Sequence, residues 1–145
     1  MARGLRGVSQ PIVITVWGPP GRGKINGRYS VARGRLIKSK EYRGWCASAI
    51  SAMSATAETP IKARFQHGPV VVSITVFWGR SHKIGPAVGL AIGDVDALAK
   101  AALDSLQSAG VIEDDAQVVQ CTMLKSVVRN RTHERVEITI TEYQP

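Results

Sequence analysis

The sequence predicts an α+β fold, a mixed sheet with helices packed on it. Three observations predict it. Short β-branched runs alternate with two stretches of helical periodicity, their order reads β-α-β-α-β-β, and Gly- and Pro-rich breaks separate them without any internal repeat. With 145 residues, 44% of them hydrophobic, the chain fits one domain spanning 1–145.

Residues 1–10 carry basic side chains and no apolar run behind them, so a flexible start is expected. Residues 11–17, Pro-Ile-Val-Ile-Thr-Val-Trp, read as the first strand. Gly18-Pro19-Pro20-Gly21 breaks it, and 18–38 reads as a basic loop or a poorly ordered hairpin. From Ser39 to Ala57, Tyr42, Trp45, Cys46, Ala49, Ile50 and Met53 recur near helical spacing. Residues 69–78 form the clearest strand, and 79–93, with four glycines and a proline, a loop. The clearest helix runs from Asp94, a suitable cap, to Ala109, with Gly110 as its stop. Residues 117–125 and 134–140 complete the set as two strands joined by a charged turn containing Asn130 and Arg131.

Charge narrows the function. Nineteen Lys and Arg against eleven Asp and Glu give a net +8, which points to a polyanionic partner or to a merely basic surface. The charge is unevenly spread. Asp94, Asp96, Asp104, Glu113, Asp114 and Asp115, with Lys100 as the one cation among them, make that window −5 and the rest of the chain +13. A basic body draws nucleic acid, but compact acids repel the same phosphates. A divalent cation reconciles the two, since carboxylates hold the ion and the ion holds the phosphate.

On a helical wheel, Val95, Leu98, Ala99, Ala102, Leu103 and Leu106 fill one arc, and Asp96, Lys100 and Asp104 follow at four-residue spacing beside it. Two readings stand: exposed ion pairs of ~0.3–0.5 kcal/mol each, or part of an ion site. The second needs Asp94 and Asp96 at the helix start to converge with Asp114–Asp115 after its end, because a hard cation is held by two or three carboxylates from separate elements. Neighbouring residues at a strand entrance point to opposite faces, so only one of Asp114 and Asp115 is expected to ligate well.

These residues resemble a family. Gly93-Asp94-Val95-Asp96, then Lys100, Asp104, Leu106, Ala109-Gly110-Val111 and Asp114-Asp115-Ala116-Gln117-Val118 are similar to the core signature of the RusA Holliday junction resolvases. Arg135 to Glu142 resembles the family's closing strand, and Pro19-Pro20 followed by Asn26 its proline-then-asparagine loop, at altered spacing. The resemblance implies a homodimeric endonuclease that resolves four-way DNA junctions by paired symmetric nicks in recombination and repair. It implies Mg²⁺, with Mn²⁺ able to substitute, held by Asp94, Asp96 and Asp115, and Lys100 as the fourth catalytic residue. The family's asparagine after the second Asp is Ala97 here, and its arginines before the first Asp are replaced by Ala91-Ile92-Gly93.

The expected DNA-binding set is Lys24, Arg28, Arg33, Arg35, Lys38, Arg80 and Lys83 from charge, with Asn26 added by the resemblance. Lys24 to Arg43 interleave with Tyr29, Tyr42 and Trp45, a mixture suited to phosphate tracking and base stacking, although Trp45 fits the core of the next helix better. Gly18 to Lys24 imitates a P-loop, but Ile25 stands where Ser or Thr would hold Mg²⁺, so no nucleotide cofactor is expected. His67, His82 and His133 are scattered, and Cys46 and Cys121 have no ligand spacing. With no apolar span of ~20 residues, a cytoplasmic protein is expected, in the host cytoplasm if a phage encodes it. The competing functions are a non-catalytic basic DNA-binding protein and a less selective nuclease of flaps or other branched DNA.

Overall fold

A computed structural model describes residues 10–18, 29–32, 35–38, 40–56, 65, 67–79 and 95–145 of the chain. Its elements are β1 (Ile12–Trp17), β2 (Tyr29–Ala32), β3 (Arg35–Lys38), α1 (Lys40–Thr56), β4 (Val70–Gly79), α2 (Val95–Ser108), β5 (Val118–Val128) and β6 (Arg135–Glu142). The expected α+β class and the mixed sheet are observed. The basic stretch, expected as a loop or hairpin, contains an antiparallel hairpin in which Tyr29 pairs Lys38 and Ala32 pairs Arg35. The first nine residues, the 80–94 stretch and the expected cap Asp94 lie outside the described residues.

The main sheet has the order β1-β6-β4-β5. β6 is antiparallel to both β1 and β4, whereas β5 is parallel to β4. Parallel neighbours need a long crossover, and α2 lies within it. Alternation decides which side is buried. Ile14 and Val16 from β1, Val72, Ile74 and Val76 from β4, and Val136, Ile138 and Ile140 from β6 are each at most 2% exposed. Trp45, Ala49 and Met53 of α1 and Ala101, Ala102 and Leu106 of α2 meet them in the same cluster. Trp45 is therefore a core residue. The alternate residues of β1, Val13 and Trp17, are exposed.

β5 and β6 follow one another in sequence but flank β4 on opposite sides. The chain crosses the end of β4 through a short 3-10 turn at Arg131–His133, capped by Asn130, whose side chain accepts from the Thr132 N–H at 3.0 Å. The crossing is tight at Gly79. A Cβ there would lie 2.7 Å from Arg131 Cγ and 3.1 Å from Arg131 Cα. The Gly79 N–H donates to Glu134 Oε1 at 2.7 Å, and the Gly18 N–H to the Glu134 carbonyl at 3.0 Å. Glu134 thus ties the ends of β1 and β4 to the crossover. On the open face, Arg135 lies 4.0 Å from the Phe77 ring centroid and pairs with Glu137 at 2.8 Å. Among the described residues, no helix is long and apolar enough to cross a membrane.

Candidate active site

The end of α2 sets the position of the second half of the acidic window. Gly110, at φ +73°, donates to the Gln107 carbonyl at 3.0 Å, and Val111 to that of Leu106 at 3.0 Å. This is a Schellman stop, which glycine permits without strain. Val111 and Ile112, at most 1% exposed, then anchor the chain in the core. Glu113, Asp114 and Asp115 follow at the surface and lead through a 3-10 turn (Asp115–Gln117) into β5.

Strand alternation, the ground for expecting only one of Asp114 and Asp115 to ligate an ion, does not apply here. They stand in a capped turn and not on a strand. Asp114 is the cap, its Oδ1 accepting from the Ala116 N–H at 2.8 Å. Asp115 is left facing α2, where its Oδ2 accepts from Lys100 Nζ at 3.0 Å. The same ammonium lies 2.9 Å from Asp104 Oδ1 one turn along the helix. The side chains of Lys100 and Asp115 are 48% and 41% exposed, so a phosphate can reach both.

The electrostatics are mutual. Lys100, through its hydrogen bond and charge, holds the Asp115 carboxyl below its ordinary value of 3.8. Asp104, and then Asp115, raise the Lys100 ammonium above its ordinary 10.5. At neutral pH the pair is fully charged. Ionised carboxylate oxygens at an open surface suit a hard divalent cation, so Asp115 fits the donor role expected of it.

Asp96 belongs to the first turn of α2. By helical register it stands one turn before Lys100, about 6 Å along the axis, on the stripe that carries Lys100 and Asp104. Its side chain and all of Asp94 lie outside the described residues, as do Lys24, Asn26, Arg28, Arg33, Arg80 and Lys83. Arg35 and Lys38 are on β3. Of the expected catalytic set, then, the structure brings Lys100 and Asp115 together. Among the described residues, no group of three or more His, Cys, Asp or Glu side chains is placed to hold an ion.

Two further side chains belong to this neighbourhood. Asp104, read from the sequence as a partner for Lys100 or part of an ion site, also lines a shallow pocket between α1 and α2 with Arg43 and Cys46. Arg43 brings a cation from the basic stretch to within the surroundings of the acids. Gln117 holds the Asp114–Asp115 corner by four hydrogen bonds. The sequence signal for it was its place in the Asp-Asp-x-Gln-Val run, which names no task.

Compared with known proteins, the chain matches the family model described as Endodeoxyribonuclease RusA over residues 18–141. No curated protein matches it.

Proposed function

The chain belongs to the RusA family of endodeoxyribonucleases, Holliday junction resolvases of DNA recombination, and from that premise we propose that it nicks two strands of a four-way junction symmetrically, as a homodimer using Mg²⁺. The observation that supports this assignment of the site is the contact between Lys100 and Asp115, 3.0 Å apart. Two residues singled out for one reaction meet at an exposed, fully charged surface.

Nucleases of this family depend on divalent metal in general. In this chain Asp94, Asp96 and Asp115 would hold the ion, with Mn²⁺ as a substitute. A bound cation supplies an acidified water and charge neutralisation at phosphorus. The chain's own groups supply the rest. Asp115 stays ionised because Lys100 faces it. Lys100, a flexible point charge exposed beside Asp115, would bind a non-bridging phosphate oxygen as charge builds in the transition state or assist the leaving oxygen.

The basic residues Lys24, Asn26, Arg28, Arg33, Arg35, Lys38, Arg80 and Lys83 would carry the arms of the junction, and Arg43 lines a pocket together with Asp104. A two-fold dimer presents one such site to each of two strands. The second copy has an edge to use. β5 is paired on one side only among the described strands, it holds one charged residue, Lys125, in eleven, and it exposes Val119 and Leu124. An edge with so little charge is where two bodies of +8 meet with least repulsion.

The deciding experiment is Mg²⁺-dependent cleavage of a synthetic four-way junction, set beside a flap and a linear duplex of the same sequence. Paired nicks on the junction are expected. Asp96→Asn and Asp115→Asn should each lower cleavage by on the order of 10²–10³-fold with junction binding retained. Unchanged turnover in either variant removes that residue from the site. Equal cleavage of flap and junction would instead favour the less selective nuclease.

A further inference from the structure

The Gln117 carboxamide uses all of its hydrogen-bonding capacity on backbone. Its Oε1 accepts from the N–H groups of Glu113 and Asp114 at 2.7 and 3.0 Å. Its Nε2 donates to the carbonyls of Phe65 and Gly68 at 2.9 and 2.8 Å. Only one orientation of the amide satisfies two donors and two acceptors at once. The first pair belongs to the corner that carries Asp115. The second belongs to the segment that enters β4, where Phe65 is fully buried.

The other ties at this corner do something different. The Asp114 side chain bonds Ala116, and the Gln117 N–H bonds the Asp114 carbonyl at 3.1 Å. Both are internal to the turn, so they set its shape and not its place. The pair His67–Glu113 reaches outward at 3.2 Å, but its side chains are 73% and 68% exposed, and such pairs contribute little. Pairing of β5 with β4 begins at Val118, and the register then slips so that Val119 has no partner. Besides the buried Val111 and Ile112 before it, the Lys100 contact from α2 and the pairing that starts at Val118, Gln117 is the side chain that ties the corner directly to the backbone entering β4.

We infer that Gln117 is a positioning residue of the acidic site: it clasps the Asp114–Asp115 corner to the start of β4 and so fixes where the Asp115 carboxylate stands relative to α2. The inference rests on the reading of Asp115 as an ion-holding acid. A carboxylate that must share a cation with residues of another element has to be held in place before the ion arrives. Groups that hold ligands in this way typically change metal affinity or rate 10–100-fold when removed.

Gln117→Leu keeps the bulk and removes all four bonds, whereas Gln117→Glu keeps the acceptor and sets an oxygen against two carbonyls. Mn²⁺ alone, titrated by electron paramagnetic resonance, should bind Gln117→Leu at least ~10-fold more weakly than wild type. The kcat for junction cleavage should fall ~10–100-fold and recover in part as Mn²⁺ is raised. Junction affinity without metal should stay within about twofold, since the four Gln117 bonds all go to backbone and to none of the residues proposed to carry the junction arms. A folded Gln117→Leu protein with wild-type Mn²⁺ affinity and kcat overturns the inference, even if it melts at a lower temperature. Should Gln117→Leu not melt cooperatively, Gln117→Glu carries the same test. Asp115→Asn is run alongside: if it also cleaves normally, the site itself has been misassigned, whereas normal cleavage by Gln117→Leu alone rejects only the clasp.

Discussion

Lys100 Nζ donates to Asp115 Oδ2 at 3.0 Å, joining a helix to the turn that follows it across fifteen positions of sequence. The contact makes the two charges interdependent, and it is open to titration. The Asp115 carboxyl is depressed, so its contribution to stability is present above 3.8 and lost as pH falls through its lowered value. The Lys100 ammonium is raised, so its contribution is present below 10.5 and lost as pH climbs past its raised value. The difference in Tm between wild type and Lys100→Met should therefore be level from weakly acidic to weakly alkaline pH and vanish in strong acid. Because both groups are exposed, that difference is small. Turnover is a separate matter, and it should collapse in Lys100→Met with metal binding intact. Unchanged cleavage would reduce Lys100 to an ion-pair partner.

Gly79→Ala tests the tight crossing of β4. Its methyl would meet Arg131 Cγ at 2.7 Å and Glu134 Oε1 at 2.8 Å, and overpacking of this kind typically costs ~1–3 kcal/mol. Urea unfolding should show a lower midpoint at unchanged slope.

Salt dependence reports the DNA path. Replacing Arg35 and Lys38 by Gln should weaken binding to every DNA sequence alike. The slope of log affinity against log salt should flatten by about 1 for each phosphate that the variant no longer neutralises. An unaltered slope would remove both residues from the interface.

Leu124, 59% exposed on β5, addresses the dimer. Leu124→Lys places like charges across a two-fold interface, so sedimentation should show monomers at concentrations where the wild type is dimeric. A dimer that persists places the interface elsewhere.

Local patterns carried most of the element reading. β1, β4 and β6 announce themselves by β-branched alternation, and α2 by an apolar arc closed by Gly110, whose left-handed backbone explains why glycine stands there. The pair Lys100–Asp104 follows from four-residue spacing alone. Pairing partners do not, because nothing in the runs 118–128 and 135–142 says that β4 lies between them. Strand alternation was no guide to Asp114 and Asp115, which stand in a capping turn where Asp114 caps and Asp115 faces Lys100. Gln117 was out of reach for the same reason as the sheet order: its bonds to Phe65 and Gly68 span 52 and 49 positions, and no periodicity records such a distance.

β6 lies between the first strand and the fourth, pairing Ile138 with both Ile14 and Ile74. During synthesis β1 must therefore wait, without its neighbour, until a segment more than a hundred residues downstream has been made. Such late closure favours slow folding. It also delays completion of the hydrophobic interior, so a chain interrupted after Val128 would leave β1 apart from β4 and be exposed to proteolysis.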